Sequence, residues 1–344
     1  WASEPLLRVM VVLAIVGGWA VFLGRILERD AVVTLGSAIS LLAGVLFLVN
    51  IVQLFKQKTP VRPAPPLPYP AQAQADRIAT NFTRLSAVWL LVGLVIGFAT
   101  SIRTPETGRW ELVWAHAMLV GFAFSMATGV TYHVLPRWTT GRWKTITALR
   151  IHWYVTVVAL PLMVLALAID SELLFHMAAT LQAMVIVLWI ANCLPFVRKL
   201  PRPTGIGFGA ALAALTGGIA LGMSFAVTPA NGAVMRPVHA ELNLFGWGAL
   251  LICGVTYYLA PRFAGMPLRW PRLVPVQLAL TIGSVAAGIT LLWLRIEGYE
   301  TGSAVQLAHL GSAAGLSLLG GIVAATLSAP KRQSNGTVQL MPRA

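Results

Sequence analysis

Four histidines occupy similar places in apolar stretches of this sequence. Each lies within about the first two turns of an expected membrane-spanning helix: His116, His176, His239 and His309. An imidazole in hydrocarbon costs free energy unless a metal, a heme iron or another polar side chain satisfies it. Heme iron and copper accept neutral imidazole, whereas calcium or magnesium would require carboxylates, which are scarce at this level. The pattern therefore predicts a layer of cofactor-binding histidines.

Two of these histidines begin stretches that resemble one another. HAMLVGFAFSMATGVTYHVLPR runs from His116 to Arg137, and HAELNLFGWGALLICGVTYYLAPR runs from His239 to Arg262. At a constant offset, the residues Ala115, Leu119, Gly121, Gly129, Val130, Thr131, Tyr132, Pro136 and Arg137 fall on Ala240, Leu244, Gly246, Gly254, Val255, Thr256, Tyr257, Pro261 and Arg262. Such self-similarity indicates an internal duplication.

The composition is that of an integral membrane protein. Hydrophobic residues make up 57% of the chain and charged residues 10%, and the apolar runs exceed the roughly 18 to 20 residues that cross a bilayer. The net charge of +14 comes from basic residues in short loops, which excludes nucleic acid as the expected partner. Cys193 and Cys253 lie inside apolar runs and are expected to be small buried thiols. The first apolar run is interpreted as a span rather than a signal peptide.

Ten helices in an all-α arrangement are expected from apolar runs bounded by charge, proline and glycine. Their approximate ranges are 5–27, 31–55, 82–102, 111–136, 147–169, 172–197, 205–227, 234–260, 273–295 and 302–327. They divide into a two-helix leader (1–55), a proline-rich cytoplasmic linker (56–80), two four-helix repeats in the same orientation (81–200 and 201–328) and a basic tail (329–344). Prolines in the linker favour extended, solvated chain.

The distribution of basic residues predicts the orientation of the chain in the membrane. Most arginines and lysines fall at the N-terminal edge of the first helix, in the even-numbered gaps between helices and in the tail. Short cytoplasmic loops carry such an excess. We therefore expect ten crossings of a bacterial-type cytoplasmic membrane, with both termini in the cytoplasm.

The two remaining histidines are expected near the inner face. His133 follows His116 by about 17 residues on one helix, a displacement of roughly 25 Å, so these two cannot share one metal or heme. For His133 and His152, a hydrogen bond to a neighbouring helix is the favoured interpretation. Partial solvation near the inner interface is also expected for this pair. Any cofactor site must join different helices.

A carboxylate and an amide follow His239 inside the same apolar helix. Glu241 and Asn243 are candidates for supporting roles beside a cofactor. A carboxylate at membrane depth is costly. Glu241 is therefore expected to be protonated, to pair with an arginine such as Arg236, or to orient a histidine through a hydrogen bond.

The eighth helix resembles the heme-binding helix of subunit I of the heme-copper oxidase and nitric oxide reductase superfamily, and also the NnrS family of heme- and copper-containing membrane proteins. The residues that carry the resemblance are His239, Ala240, Leu242–Trp247, Gly254, Tyr257, Pro261 and Arg262. His116 followed by MLVGFAF is similar to the superfamily's histidine for the low-spin heme. The resemblance covers about residues 81–327 and implies b-type heme.

This chain also departs from the superfamily pattern. Glu241 stands where the second histidine of a His-x-His pair is expected, and no His-His dipeptide for a three-histidine copper site occurs. The resemblance thus implies a reduced relative with one or two b hemes, and leaves copper open. Iron would be held through His116 and His239, or by either of these paired with His176 or His309, and the pairing stays open.

Three function classes follow. The first is a cytochrome that passes electrons from quinol or a cytochrome c to other respiratory subunits, or that binds or reduces nitric oxide as an oxidoreductase. The second is a cofactor-free transporter, for which inverted repeats and helix breaks are typical. The third is a scaffold subunit of a respiratory complex that has lost its hemes. The histidine layer favours the first class.

Overall fold

The computed structural model describes residues 3–56, 69–102 and 108–328. These ranges contain ten helices long and apolar enough to span a membrane, and they contain no strand. The helices are α1 (Glu4–Ile26), α2 (Asp30–Lys56), α3 (Gln72–Ile102), α4 (Arg109–Thr139), α5 (Ile146–Ile169), α6 (Glu172–Val197), α7 (Arg202–Val227), α8 (Val234–Ala264), α9 (Leu273–Ile296) and α10 (Ala304–Leu327). The prediction of an all-α membrane protein with about ten spans is confirmed.

Helix α3 starts about ten residues before its expected start at 82. It begins at Gln72, inside the segment assigned to the linker. The sequence from there is polar but contains no proline, and Asp76 in its first turns accepts hydrogen bonds from Gln72 and from Arg137 of α4. The predicted helix therefore started too late. The polar residues were assigned to the linker, whereas tertiary contacts satisfy their side chains within the helix. Residues 57–68 and 329–344, most of the linker and all of the tail, lie outside the described residues.

The chain forms two compact units, Trp1–Phe196 and Val197–Ala344. In the first unit the leader helices α1 and α2 pack through small residues. A Cβ added to Gly24 would lie 2.8 Å from the backbone nitrogen of Val33, and one added to Gly36 would lie 2.7 Å from that of Val21. Glycines of this kind allow membrane helices to approach closely, where van der Waals contact replaces the hydrophobic effect as the driving force.

The two units repeat the same helix contact. In the first, a Cβ on Gly129 of α4 would lie 2.8 Å from the carbonyl oxygen of Ala79 in α3. In the second, a Cβ on Gly254 of α8 would lie 3.0 Å from that of Thr204 in α7. The offset from 79 to 204 and from 129 to 254 is the same 125 positions. The duplication thus extends from sequence to the close packing of the first two helices of each repeat.

A stretch of π-helix occurs in both repeats at this same offset. It covers Ala117–Phe124 in α4 and Leu242–Ala249 in α8. π-helical stretches are rare in proteins, and many of those that occur are at functional sites. The wider turn changes which side chains of the helix share a face before and after it. Each begins directly after a polar side chain, His116 in the first repeat and Glu241 in the second. His116 therefore corresponds in register to Glu241, and not to His239.

Candidate functional site

Three of the predicted ligand histidines place Nδ1 beside a backbone carbonyl. The distance is 2.8 Å from His116 to the oxygen of Leu112, 2.7 Å from His176 to that of Glu172, and 3.0 Å from His239 to that of Gly218. A carbonyl oxygen can only accept, so Nδ1 donates in each case. In the neutral imidazole this leaves the lone pair on Nε2, the arrangement common in metal-binding histidines.

His239 is seated on a glycine face of α7. A Cβ on Gly222 would lie 3.0 Å from the Cε1 atom of His239, and one on Gly218 would lie 2.6 Å from Nδ2 of Asn243. That amide in turn donates to the backbone oxygen of His239 at 2.7 Å. The ring of Phe225 lies 5.3 Å from the imidazole, centroid to centroid. The two glycines therefore make room for polar side chains that fix the position of this histidine.

Glu241 and His309 form a contact across the second unit. Nε2 of His309 lies 3.3 Å from Oε2 of Glu241, and only 6% of the glutamate side chain is exposed, against 45% of the histidine. Its other oxygen, Oε1, has no hydrogen-bond partner among the described residues and faces Gly288, whose added Cβ would lie 3.1 Å away. Of the expected partners, a histidine is found rather than Arg236. The same contact engages Nε2 of His309, the nitrogen that heme iron ordinarily binds.

The first repeat places apolar side chains where the second has polar ones. Trp114 of α4 lies against Gly97 of α3, where an added Cβ would lie 2.9 Å from Nε1 of the indole, and Met118 lies against Gly93. These positions match, at the offset of 125, the histidine and asparagine seated on α7. His116 stands between them in register. Its own carbonyl partner lies one turn earlier on the same helix, so its anchor differs from that of His239.

The two histidines predicted near the inner face bond to neighbouring helices. Nδ1 of His133 lies 3.0 Å from Oδ1 of Asp76, which also pairs with the guanidinium of Arg137 through both oxygens at 2.9 and 2.7 Å. Nδ1 of His152 in α5 lies 2.6 Å from the hydroxyl of Tyr132 in α4. His152 is fully buried. The expected hydrogen bonds are confirmed, whereas the expectation of partial solvation is wrong for His152, because aromatic side chains cover it.

The Tyr132 and His152 pair has a counterpart that sequence reasoning missed. In the second unit the hydroxyl of Tyr257 donates to Oε1 of Gln277 at 2.7 Å. Both residues of the second pair lie 125 positions after those of the first. The equal spacing of tyrosine from a polar residue in the next helix was the signal that could have revealed a buried polar contact in each repeat.

Tyr69 and the backbone of Trp143 close the N-terminal end of α3 outside the spans. The backbone N–H of Trp143 donates to the hydroxyl of Tyr69 at 3.1 Å, and the guanidinium of Arg142 lies 5.8 Å from the phenol ring centroid. Burial raises the pKa of Tyr69 above its ordinary value, since the phenolate would lose hydration. The tyrosine therefore stays neutral under ordinary conditions and anchors the loop between α4 and α5.

Each unit contains two of the four predicted ligands. His116 and His176 lie in the first unit, and His239 and His309 in the second. Within residues 3–56, 69–102 and 108–328, no group of three or more His, Cys, Asp or Glu side chains is arranged to hold a metal ion. Cys193 and Cys253 are buried free thiols, as expected. The assignments of iron to His116 and His239, of copper, and of supporting roles to Glu241 and Asn243 stay predictions.

Fold and composition define the class of this molecule as an all-α integral membrane protein with an internal duplication. No protein-family model matches the chain, and a search of curated proteins finds no significant relative.

Proposed function

We propose that this protein is a b-type heme membrane protein that transfers electrons within a respiratory chain, and that it resembles subunit I of the heme-copper oxidases. The observation that carries the proposal is the hydrogen bond that Nδ1 makes in three of the histidines. His116, His176 and His239 each donate from Nδ1 to a carbonyl. Donation from this nitrogen keeps the Nε2 lone pair for iron and increases the basicity of the ligand.

The donor set fits heme b. Neutral imidazoles inside apolar helices are suitable axial ligands, and bound heme would supply a one-electron couple. We assign His116 and His239 as the main ligands and His176 as a further candidate. His309 is the weakest of the four, because its Nε2 contacts Glu241. The chain's own contribution is to orient each imidazole through a carbonyl and, at His239, to cover the ring with Phe225.

The setting of the proposed cytochrome follows from its class. The ten apolar helices place the protein in a lipid bilayer. We propose the cytoplasmic membrane of a bacterial-type cell, with both termini in the cytoplasm, since the basic loops lie on that side. Quinol or a cytochrome c would donate electrons, other respiratory subunits would accept them, and binding or reduction of nitric oxide is part of the same proposal. One or two hemes fit the histidine count, and copper stays open.

One observation favours a second candidate, a cofactor-free transporter. Glu241 is a buried carboxylate within a membrane-spanning helix, and one of its oxygens has no partner among the described residues. Intramembrane carboxylates often mark transport pathways. A heme-less scaffold subunit would instead retain histidines without iron.

A reduced-minus-oxidised absorption spectrum of the purified full-length protein tests the proposal. Iron and copper are counted per chain in the same sample, and carbon monoxide is added to the reduced form. We expect b-type bands that weaken or disappear in His116→Ala and His239→Ala and persist in His133→Ala, whose side chain binds Asp76 instead. A carbon monoxide shift would indicate an open iron suited to gas chemistry. Absence of heme from the wild-type protein, or full heme in both ligand variants, would overturn the assignment.

A further inference from the structure

The last three helices of the first unit contain several buried polar side chains that lack a hydrogen-bond partner among the described residues. The atoms Oγ of Ser125, Oγ1 of Thr128, Nε2 of His152, and both Nε2 and Oε1 of Gln182 are buried and have no hydrogen-bond partner among the described residues. Native proteins rarely leave such atoms unsatisfied, and ordered water commonly completes them. Three different helices, α4, α5 and α6, contribute the four side chains.

Helix contacts bring three of these side chains to one region. Ser125 and Thr128 precede Tyr132 by two turns and one turn on the buried face of α4. The hydroxyl of Tyr132 lies 2.6 Å from Nδ1 of His152 in α5 and accepts from Nδ2 of Asn192 in α6 at 2.8 Å.

The ring of Phe124, the residue before Ser125, lies close to rings of both neighbouring helices. The centroid of Phe124 lies 6.4 Å from that of His152 and 5.3 Å from that of Trp189 in α6. Gln182 lies two turns before Trp189 on the same buried face of α6. Ser125, Thr128 and His152 thus lie around one interior level, whereas Gln182 lies about 10 Å farther along α6.

The second repeat satisfies the same positions with protein atoms. Gln277, which corresponds to His152, accepts from Tyr257 and donates from Nε2 to Thr281 at 2.9 Å and to the carbonyl of Gly315 at 3.2 Å.

The equivalents of the other unsatisfied side chains are apolar or weakly polar. Ser125 and Thr128 correspond, at the offset of 125, to Leu250 and Cys253. The buried positions of α10 follow those of α6 by 126 residues instead, so the buried Gln182 corresponds to the buried Ala308. At these positions the first repeat therefore has buried polar atoms without partners among the described residues, whereas the second repeat has apolar side chains or side chains bonded to protein atoms.

We propose that the first unit binds water inside the membrane, in a site lined by Ser125, Thr128 and His152, whose equivalents in the second unit are apolar or bonded to protein atoms. Three unsatisfied atoms correspond to about one water molecule, at roughly three hydrogen bonds for each buried water. The bound water gives the imidazole of His152 a contact with exchangeable protons, while Tyr132 holds the opposite nitrogen. This site is independent of the proposed heme ligands.

Radiolytic footprinting of the full-length protein in detergent tests this site. A short X-ray pulse generates hydroxyl radicals from water, including bound water. These radicals modify the side chains next to the water molecule, and mass spectrometry identifies the modified residues. Tyr132 and Trp189 are both fully buried, and we expect them to be modified faster than the buried Tyr257 of the second repeat. The double variant Ser125→Ala/Thr128→Val should lose this excess, with the exposed Tyr154 and Tyr299 serving as controls for the dose and the fold.

A second variant keeps the test decisive if the first does not fold. His152→Gln reproduces the pattern of the second repeat, because Thr156 already occupies the position equivalent to Thr281. It should retain the contact with Tyr132 and reduce the excess labelling, because the glutamine can bond Thr156 in place of water. Equal labelling of Tyr132 and Tyr257 in the wild-type protein would overturn the proposal, as would an excess that persists in both variants.

Discussion

Replacing Gly207 by alanine tests the packing that positions His239. A Cβ at this position of α7 would lie 2.8 Å from both the Cα and the nitrogen of Gly254 in α8, and 3.0 Å from the carbonyl oxygen of Leu250. All three are backbone atoms, so no side-chain rotation can relieve the overlap. The helices would have to separate by roughly 0.6 Å to restore an ordinary contact of 3.4 Å.

Such overpacking costs about 1–3 kcal/mol. We therefore expect Gly207→Ala to lower the free energy of unfolding by that amount in SDS titration of the detergent-solubilised protein, and to lower heme retention if His239 binds iron. Gly283→Ala is the matched control, because none of the described residues lies within 4 Å of its added Cβ. A Gly207→Ala variant as stable as the Gly283→Ala variant would refute the reasoning, since it would mean that α7 and α8 do not approach at this point.

Two further substitutions test individual contacts. A double-mutant cycle of Glu241→Gln and His309→Ala should give a coupling of about 0.5–3 kcal/mol in the free energy of unfolding, since the two side chains are in contact; strictly additive effects would contradict that contact. Tyr69→Phe removes the acceptor for the backbone N–H of Trp143 and should cost about 1 kcal/mol near neutral pH. Because burial raises the pKa of Tyr69, its neutral form stabilises the fold below pH 10 and this contribution is lost at higher pH. The stability difference between the variant and the wild type should therefore shrink in alkaline buffer, and a constant difference would contradict the burial of the phenol.

Contacts at glycines show which features of the candidate site could be predicted from the sequence and which could not. The identity of the polar side chains in each apolar helix was legible in the sequence, and so was the duplication. Which of these polar side chains contact one another could not be read from the sequence. Glu241 was expected to be protonated, to pair with an arginine or to bond to a histidine. In the structure it contacts His309 on α10, and Gly288 on α9 has no side chain that would fill the space of the carboxylate. No spacing rule along one helix encodes a gap on another.

The register of the repeat, by contrast, was already legible in the sequence. The constant offset that aligns Ala115 with Ala240 also aligns His116 with Glu241 rather than with His239. Matched backbone contacts and the two π-helical stretches agree with that register. A π-helical turn depends on how the neighbouring helices pack, and hydrophobicity does not report it.

The sequence by itself determined that this chain crosses a membrane about ten times, because the thickness of hydrocarbon sets the length of apolar helix needed. It also determined that polar side chains lie within those helices. Only the tertiary structure decided their partners: Tyr132 for His152, Gly218 for His239 and His309 for Glu241. The physical reason is that each partner lies on a different helix, and close approach between helices is controlled by the small residues where they cross.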